Sequence, residues 1–363
     1  MPQLTDPIRL GAIDAPNRML MAPLTRGRAT EAGVPTPIMT DYYRQRASAG
    51  LIITEATGIS RAGLGWPYAP GLWSAEQVAA WAQVTRAVHD AGGRIVAQLW
   101  HMGRLVHPDL GGQQPVSASA TAAPGDAHVY GGKKPNVEAR PLGADEVPAL
   151  LDDFARAAEN ALAAGFDGVQ LHAANGYLID QFLRDGSNHR ADRYGGAIEN
   201  RIRLLGQVST RLAETVGADR VGVRLSPNGE IQGVNDGAPH ALFGAAARLL
   251  DEIGVAWLEL REPRPDSNFG KPDVAPVHPT IRSNFSRPLV LNSDYDQANG
   301  QAALDAGAAD AIAFGRLFIA NPDLPRRLAE ALPLNPPDAP TFYTHGAKGY
   351  TDYPTWEEAQ AAA

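Results

Sequence analysis

In the stretch LHAANGYLIDQFL, residues 171–183, an apolar run is interrupted by His172, Asn175 and Tyr177 before a helical pattern takes over. An imidazole and a carboxamide side by side offer two N–H donors that can hold one oxygen while it gains negative charge. A phenol beside them offers a weakly acidic proton. Together they meet the needs of reducing an activated C=C bond: the pair holds the carbonyl or nitro oxygen, and the phenol protonates the α-carbon. The plain alternative for His172 is a satisfied core histidine. As a metal ligand it lacks a second His or carboxylate at H-x-H or H-x₃-H spacing.

Other polar residues stand at the ends of further apolar runs: Thr25, Ala56 with Thr57, Gln98 with Trp100, Arg224, Asn292 to Asp294, and Gly315 with Arg316. Gln98 and Arg224 are an amide and a permanent cation, and a flat heterocycle with alternating donors and acceptors, such as a flavin, would satisfy both. The arginine would then stabilise the reduced ring by charge; an arginine paired with a carboxylate is the alternative. NSDY (292–295) and FGR (314–316) each lead into a helical pattern. Their backbone N–H groups can cradle a phosphate, with Gly315 permitting close approach and Arg316 supplying charge. Read singly, each is equally a tight turn or a surface arginine. Neither is a Walker loop, and no GxGxxG follows a strand.

These residues need a scaffold that brings run ends together. Eight short apolar runs occur, MLMAP (19–23), LIITEA (51–56), RIVAQLW (94–100), GVQLHAA (168–174), VGVRLSP (221–227), WLELRE (257–262), PLVLNS (288–293) and AIAFG (311–315). Alanine- and leucine-rich helical stretches separate most of them, several ending in glycine. That alternation predicts an α/β chain folded as a (β/α)₈ barrel, whose strand ends converge on one mouth. IRLGAIDAPNRM (8–19) reads as a hairpin plugging the barrel floor, residues 101–146 as a long lid-like excursion, and the tail from Leu332 as a segment packed on the body of one 363-residue domain.

The formal net charge of −8, with no block of Lys or Arg, argues against a nucleic-acid partner. No run approaches the roughly 18 apolar residues of a membrane span, and no leader pattern opens the chain, so a cytoplasmic location is expected. The chain has no cysteine. Disulfides and thiolate chemistry are thereby excluded, and redox chemistry would need a bound cofactor.

With these residues together, the sequence resembles the Old Yellow Enzyme family, in particular its bacterial ene-reductases. MAPLTR (21–26), TEATGIS (54–60), APGLWS (69–74), QLWHMGR (98–104), LHAANGYLIDQFL, DRYGGAIENR (192–201), AFGRLFIANPDL (313–324) and GYTDYP (349–354) carry the resemblance in order and spacing. It implies a barrel holding FMN noncovalently, reduced by NADPH or NADH and reoxidised by an electrophilic alkene such as an α,β-unsaturated carbonyl, maleimide or nitroalkene. By the same resemblance Thr25 tunes the flavin, Gln98 and Arg224 hold its pyrimidine ring, and Pro23, Leu24 and Ala56 line it. Ser293, Asp294, Gly315 and Arg316 take the phosphate. His172 and Asn175 anchor the substrate oxygen, Tyr177 donates the proton, and Trp66, Trp100 and Tyr350 shape the pocket. Asn175 stands where many members have His, Met102 where Thr is frequent, and NSDY replaces a glycine-rich loop, which bears on substrate range.

Two further readings use the same residues. A metal-dependent hydrolase or aldolase would combine His172 with Glu55 and Glu259. A non-catalytic barrel would bind a phosphorylated small molecule at 292–316. Within the excursion, Lys133, Lys134 and Arg140 are candidates to meet the 2′-phosphate of NADPH.

Overall fold

Eight parallel strands close into a barrel in sequence order. In this computed structural model, which describes residues 1–267 and 270–362, they are Met19–Met21, Ile52–Ile53, Ile95–Trp100, Gly168–Ala173, Val221–Leu225, Trp257–Arg261, Leu289–Asn292 and Ala311–Phe314. Each pairs in parallel with the next, and the eighth returns to the first. Every strand falls inside one of the eight apolar runs. Helices such as Ala75–Asp90, Val147–Ala163, Arg203–Val216 and Pro239–Ile253 lie between them. Gly165 and Gly254 adopt φ of +86° and +88° just past two of these helices, a conformation that only glycine takes without strain.

Two-residue alternation along the strands sorts the interior. Met19, Met21, Ile52, Ile95, Ala97, Val169, Leu171, Val223, Leu258 and Leu291 point outward into the main core shared with the helices. Leu20, Ile53, Val96, Trp257, Val290 and Ala311 point inward and form a separate apolar floor. Higher on the same inward rows stand Gln98, Gln170, Arg224, Glu259 and Asn292, all buried. The cylinder is therefore greasy below and polar above. A Cβ on Gly222 would lie 2.1 Å from the Trp257 ring, so the indole fills the space that a side chain there would occupy.

The N-terminal hairpin, Ile8–Leu10 paired antiparallel with Ile13–Ala15, places Leu10 and Ile13 in that apolar floor. It is the expected plug. The 101–146 excursion contains its own hairpin, Asp126–Val129 with Gly132–Pro135, and a short strand, Arg140–Pro141, paired with Val116–Ser117. The tail is strapped down by buried arginines. Arg26 donates to the carbonyls of Phe342 (3.1 Å) and Gly349 (2.7 Å), Arg28 to Thr341 (3.0 Å), and Arg327 to Pro354 (3.0 Å). No helix among the described residues is long and apolar enough to cross a membrane.

Candidate active site

The end of the fourth strand is shaped by a left-handed turn. Asn175 and Gly176 have φ of +60° and +76°, conformations that Asn and Gly adopt most easily. The Asn175 N–H donates to Ser226 Oγ (2.8 Å) and the Gly176 N–H to Asp180 Oδ2 (2.9 Å). Asp180 is itself paired with Arg184 at 2.9 Å inside the core. The turn is thus anchored from beneath through its backbone, which leaves the side chains facing the mouth.

Those side chains come together. The Tyr177 ring stands at right angles to two near-parallel rings, with centroids 4.8 Å from His172 and 4.9 Å from Trp100. Nδ1 of His172, Oδ1 of Asn175 and Nε1 of Trp100 are buried without a hydrogen-bond partner. Such atoms are costly unless a ligand satisfies them. Burial first, and then the charge of Arg224, push the His172 pKa well below the usual value, so the ring is neutral at pH 7. Burial pushes the Tyr177 phenol up to about 12, opposed by a hydrogen bond with Gln232 and the charge of Arg224. The phenol therefore keeps its proton at neutral pH.

Beneath this group runs a hydrogen-bonded floor. Gln98 donates to Gln170 (2.7 Å), Gln170 to Glu259 (2.7 Å), Arg224 to both Glu259 and Asn292 (2.9 Å to the latter), and Asn292 to the carbonyl of Ala313 (2.7 Å). Arg224 is paired with a carboxylate, as the alternative reading of that residue held, while its Nε is buried and unpartnered.

On the other side, the loop carrying half-buried Pro23, Leu24 and Thr25 is pinned by Glu55, which accepts from the N–H groups of Arg26 and Gly27, each at 3.1 Å. Leu24 reaches the eighth strand's end, where a Cβ on Gly315 would lie 3.4 Å from its Cδ2. Ser293 and Asp294 turn sharply with φ of +138° and +50°, and Asp294 pairs with Arg316. The expected phosphate residues are gathered, with part of the Arg316 charge already matched.

Ala56, Trp100 and Met102 form one apolar wall on which Trp66 and Tyr177 pack. Tyr350 does not join it. Its ring is fully buried, stacked on Tyr42 at 4.1 Å with Arg26 and Arg28 over it, so it locks the tail rather than shaping the pocket. The tail residue at the mouth is Tyr343, 58% exposed and 5.4 Å from Trp66, with His128 of the excursion hairpin tilted against the same indole at 4.3 Å. Lys134 and Arg140 are ion-paired with Asp109 and Glu146, and Lys133 lies across the hairpin from His128. Glu55 and Glu259, needed beside His172 by the metal-dependent reading, are engaged as described. Among the described residues no group of three metal-ligating side chains forms.

Sequence reasoning missed Gln170, Gln232, Tyr343 and the Asp180–Ser226 anchor. Gln170 had a signal, a polar residue two before His172 and so on the same face of the strand. Tyr343 and Gln232 had none, since loops far apart in sequence bring them in.

Comparison with known proteins decides the assignment. Residues 3–335 match the NADH:flavin oxidoreductase / NADH oxidase family. An old yellow enzyme homologue from Zymomonas mobilis is 61% identical with a TM-score of 0.96, covering 97% of this chain and 99% of that one. The chain belongs to the Old Yellow Enzyme family. Morphinone reductase is 44% identical with a TM-score of 0.94 over 99% of this chain and 97% of its own, and a structure of that enzyme holds tetrahydroNAD. A putative 12-oxophytodienoate reductase 3 of Oryza sativa subsp. japonica is 43% identical over 98% of this chain and 93% of its own length. The Old Yellow Enzyme fold and chemistry follow: an FMN-dependent NAD(P)H oxidoreductase that reduces C=C bonds. The mouth fits that cofactor, because Arg224 at its polar end keeps a buried Nε without a partner and the Gly315 turn is free of a side chain.

Proposed function

We propose that this enzyme reduces alkenes activated by a carbonyl, imide or nitro group, with His172 and Asn175 holding the activating oxygen and Tyr177 giving the proton. Bound FMN supplies the hydride that reaches the β-carbon. Neutral His172 acts as a hydrogen-bond donor, and the Asn175 amide adds a second N–H to the same oxygen. As negative charge builds on that oxygen, both bonds strengthen. Tyr177, protonated at neutral pH, delivers its proton to the α-carbon and is reprotonated from solvent. Gln232 fixes the direction of the phenol, and Trp100 limits the motion of both rings. Gln98, Arg224 and the Thr25 loop would hold the isoalloxazine, and the Ser293–Asp294 and Gly315–Arg316 turns its phosphate.

The observation that carries this reading is the buried Nδ1 of His172, left without a partner, with the Tyr177 ring centroid 4.8 Å away. Half-reactions test it directly. In Tyr177→Phe, reoxidation by a weakly activated alkene should slow while reduction by NADPH is unchanged. Equal slowing of both steps contradicts the proton-donor role.

A further inference from the structure

The floor of the mouth contains a carboxylate whose position has a directional consequence. Glu259 is fully buried in the sixth barrel strand, and its register partner on the fifth is Arg224. Its Oε1 takes Arg224 Nη1 and its Oε2 takes Gln170 Nε2 at 2.7 Å. A carboxylate paired with a guanidinium only accepts, so Gln170 must turn its NH₂ toward Glu259. The carbonyl of Gln170 then faces Gln98, which must present its own NH₂ at 2.7 Å. Gln98 and Gln170 are also register partners, so the two amides cannot avoid each other. What remains for the mouth is the carbonyl oxygen of Gln98 and one N–H.

We propose that Glu259 is a positioning residue for FMN with two separable effects: acting through Gln170 it fixes which end of the Gln98 amide meets the flavin, and acting on Arg224 it offsets the positive charge beneath the ring. It touches neither substrate nor cofactor. The inference rests on FMN binding in this mouth and is independent of the role given to Tyr177. An unopposed Arg224 would favour the reduced ring, which carries more negative charge than the oxidised one, so the Glu259 charge holds the two forms closer in affinity. An acceptor-only group at the end of an amide chain also removes the flipped arrangement, which a neutral amide at 259 would permit.

The experiment measures the affinity of the enzyme for FMN and the midpoint potential of the bound cofactor in wild type, Glu259→Gln and Gln170→Met. Glu259→Gln should raise the ratio of reduced to oxidised FMN affinity at least tenfold, a rise of about 30 mV for a two-electron couple. Gln170→Met keeps the Arg224–Glu259 pair; it should weaken oxidised FMN binding about tenfold and leave that ratio within about twofold. If Glu259→Gln does not fold, Asn292→Asp adds a carboxylate on the other side of Arg224 and should move the potential in the opposite direction. A potential unmoved by a folded charge variant overturns the charge effect, and unchanged FMN affinity in Gln170→Met overturns the relay. Wild-type protein that binds no FMN would instead sink the flavoenzyme reading itself.

Discussion

Two polar groups share this barrel mouth and differ in how completely they are hydrogen-bonded. The floor, from Gln98 through Gln170, Glu259 and Arg224 to Asn292, runs as an unbroken chain that ends on the Ala313 carbonyl. The wall above it, His172, Asn175 and Trp100, keeps buried atoms with no partner. Buried polar atoms are normally satisfied; in the floor only the Nε of Arg224 is left over, so the floor is mainly a built support and the wall a binding surface. The floor fixes geometry before any ligand arrives, and the wall gains its missing bonds only from one.

The sharpest way to break that contrast is to remove the wall. His172→Ala with Asn175→Ala should lower alkene reduction by about 10²–10³-fold while FMN stays bound, because the floor is intact. Activity near wild type would mean that the unpartnered atoms serve no substrate. Tyr177→Phe should cost about 10²-fold with a weakly activated alkene, and less with strongly activated ones that accept a proton from solvent.

Acidity gives a third test. With Tyr177 pushed up to about 12, alkene reduction should stay level from about pH 7 to about pH 10, and a fall centred near an ordinary phenol value contradicts this. His172 has a depressed pKa in the fold and a value of 6.5 outside it. The unfolded chain therefore binds the proton first, and stability falls as pH drops below about 6.5. A His172→Phe variant should show a flatter acid limb of stability.

A smaller effect concerns the coenzyme. With Lys134 and Arg140 in ion pairs, Lys133 is the cation of the excursion that we propose for NADPH selection. Lys133→Ala should shift the NADPH to NADH preference by only a few-fold, as suits one exposed charge. No shift would remove Lys133 from coenzyme recognition.

Much of this was legible in the sequence because short continuous apolar runs alternating with glycine-ended helices report directly on the barrel. All eight strands, the plug hairpin and the cluster of His172, Asn175 and Tyr177 follow from local pattern. Tyr350 misled because an aromatic near the chain end fits either a pocket wall or a buried clasp, and only its stacking on Tyr42 under Arg26 and Arg28 distinguishes the two. Tyr343 and Gln232 reach the mouth from loops whose paths no local pattern encodes. The pairing of Arg224 with Glu259 needed strand register, which follows from barrel closure and not from spacing along the chain.

The most direct measurement is titration of the FMN-loaded enzyme with a simple phenol, whose oxygen mimics the charged oxygen of the reacting substrate. A long-wavelength absorption band that saturates in wild type and is absent from the His172→Ala, Asn175→Ala double variant is expected. The same band with the same half-saturation in both proteins would show that these two side chains do not hold the ligand oxygen.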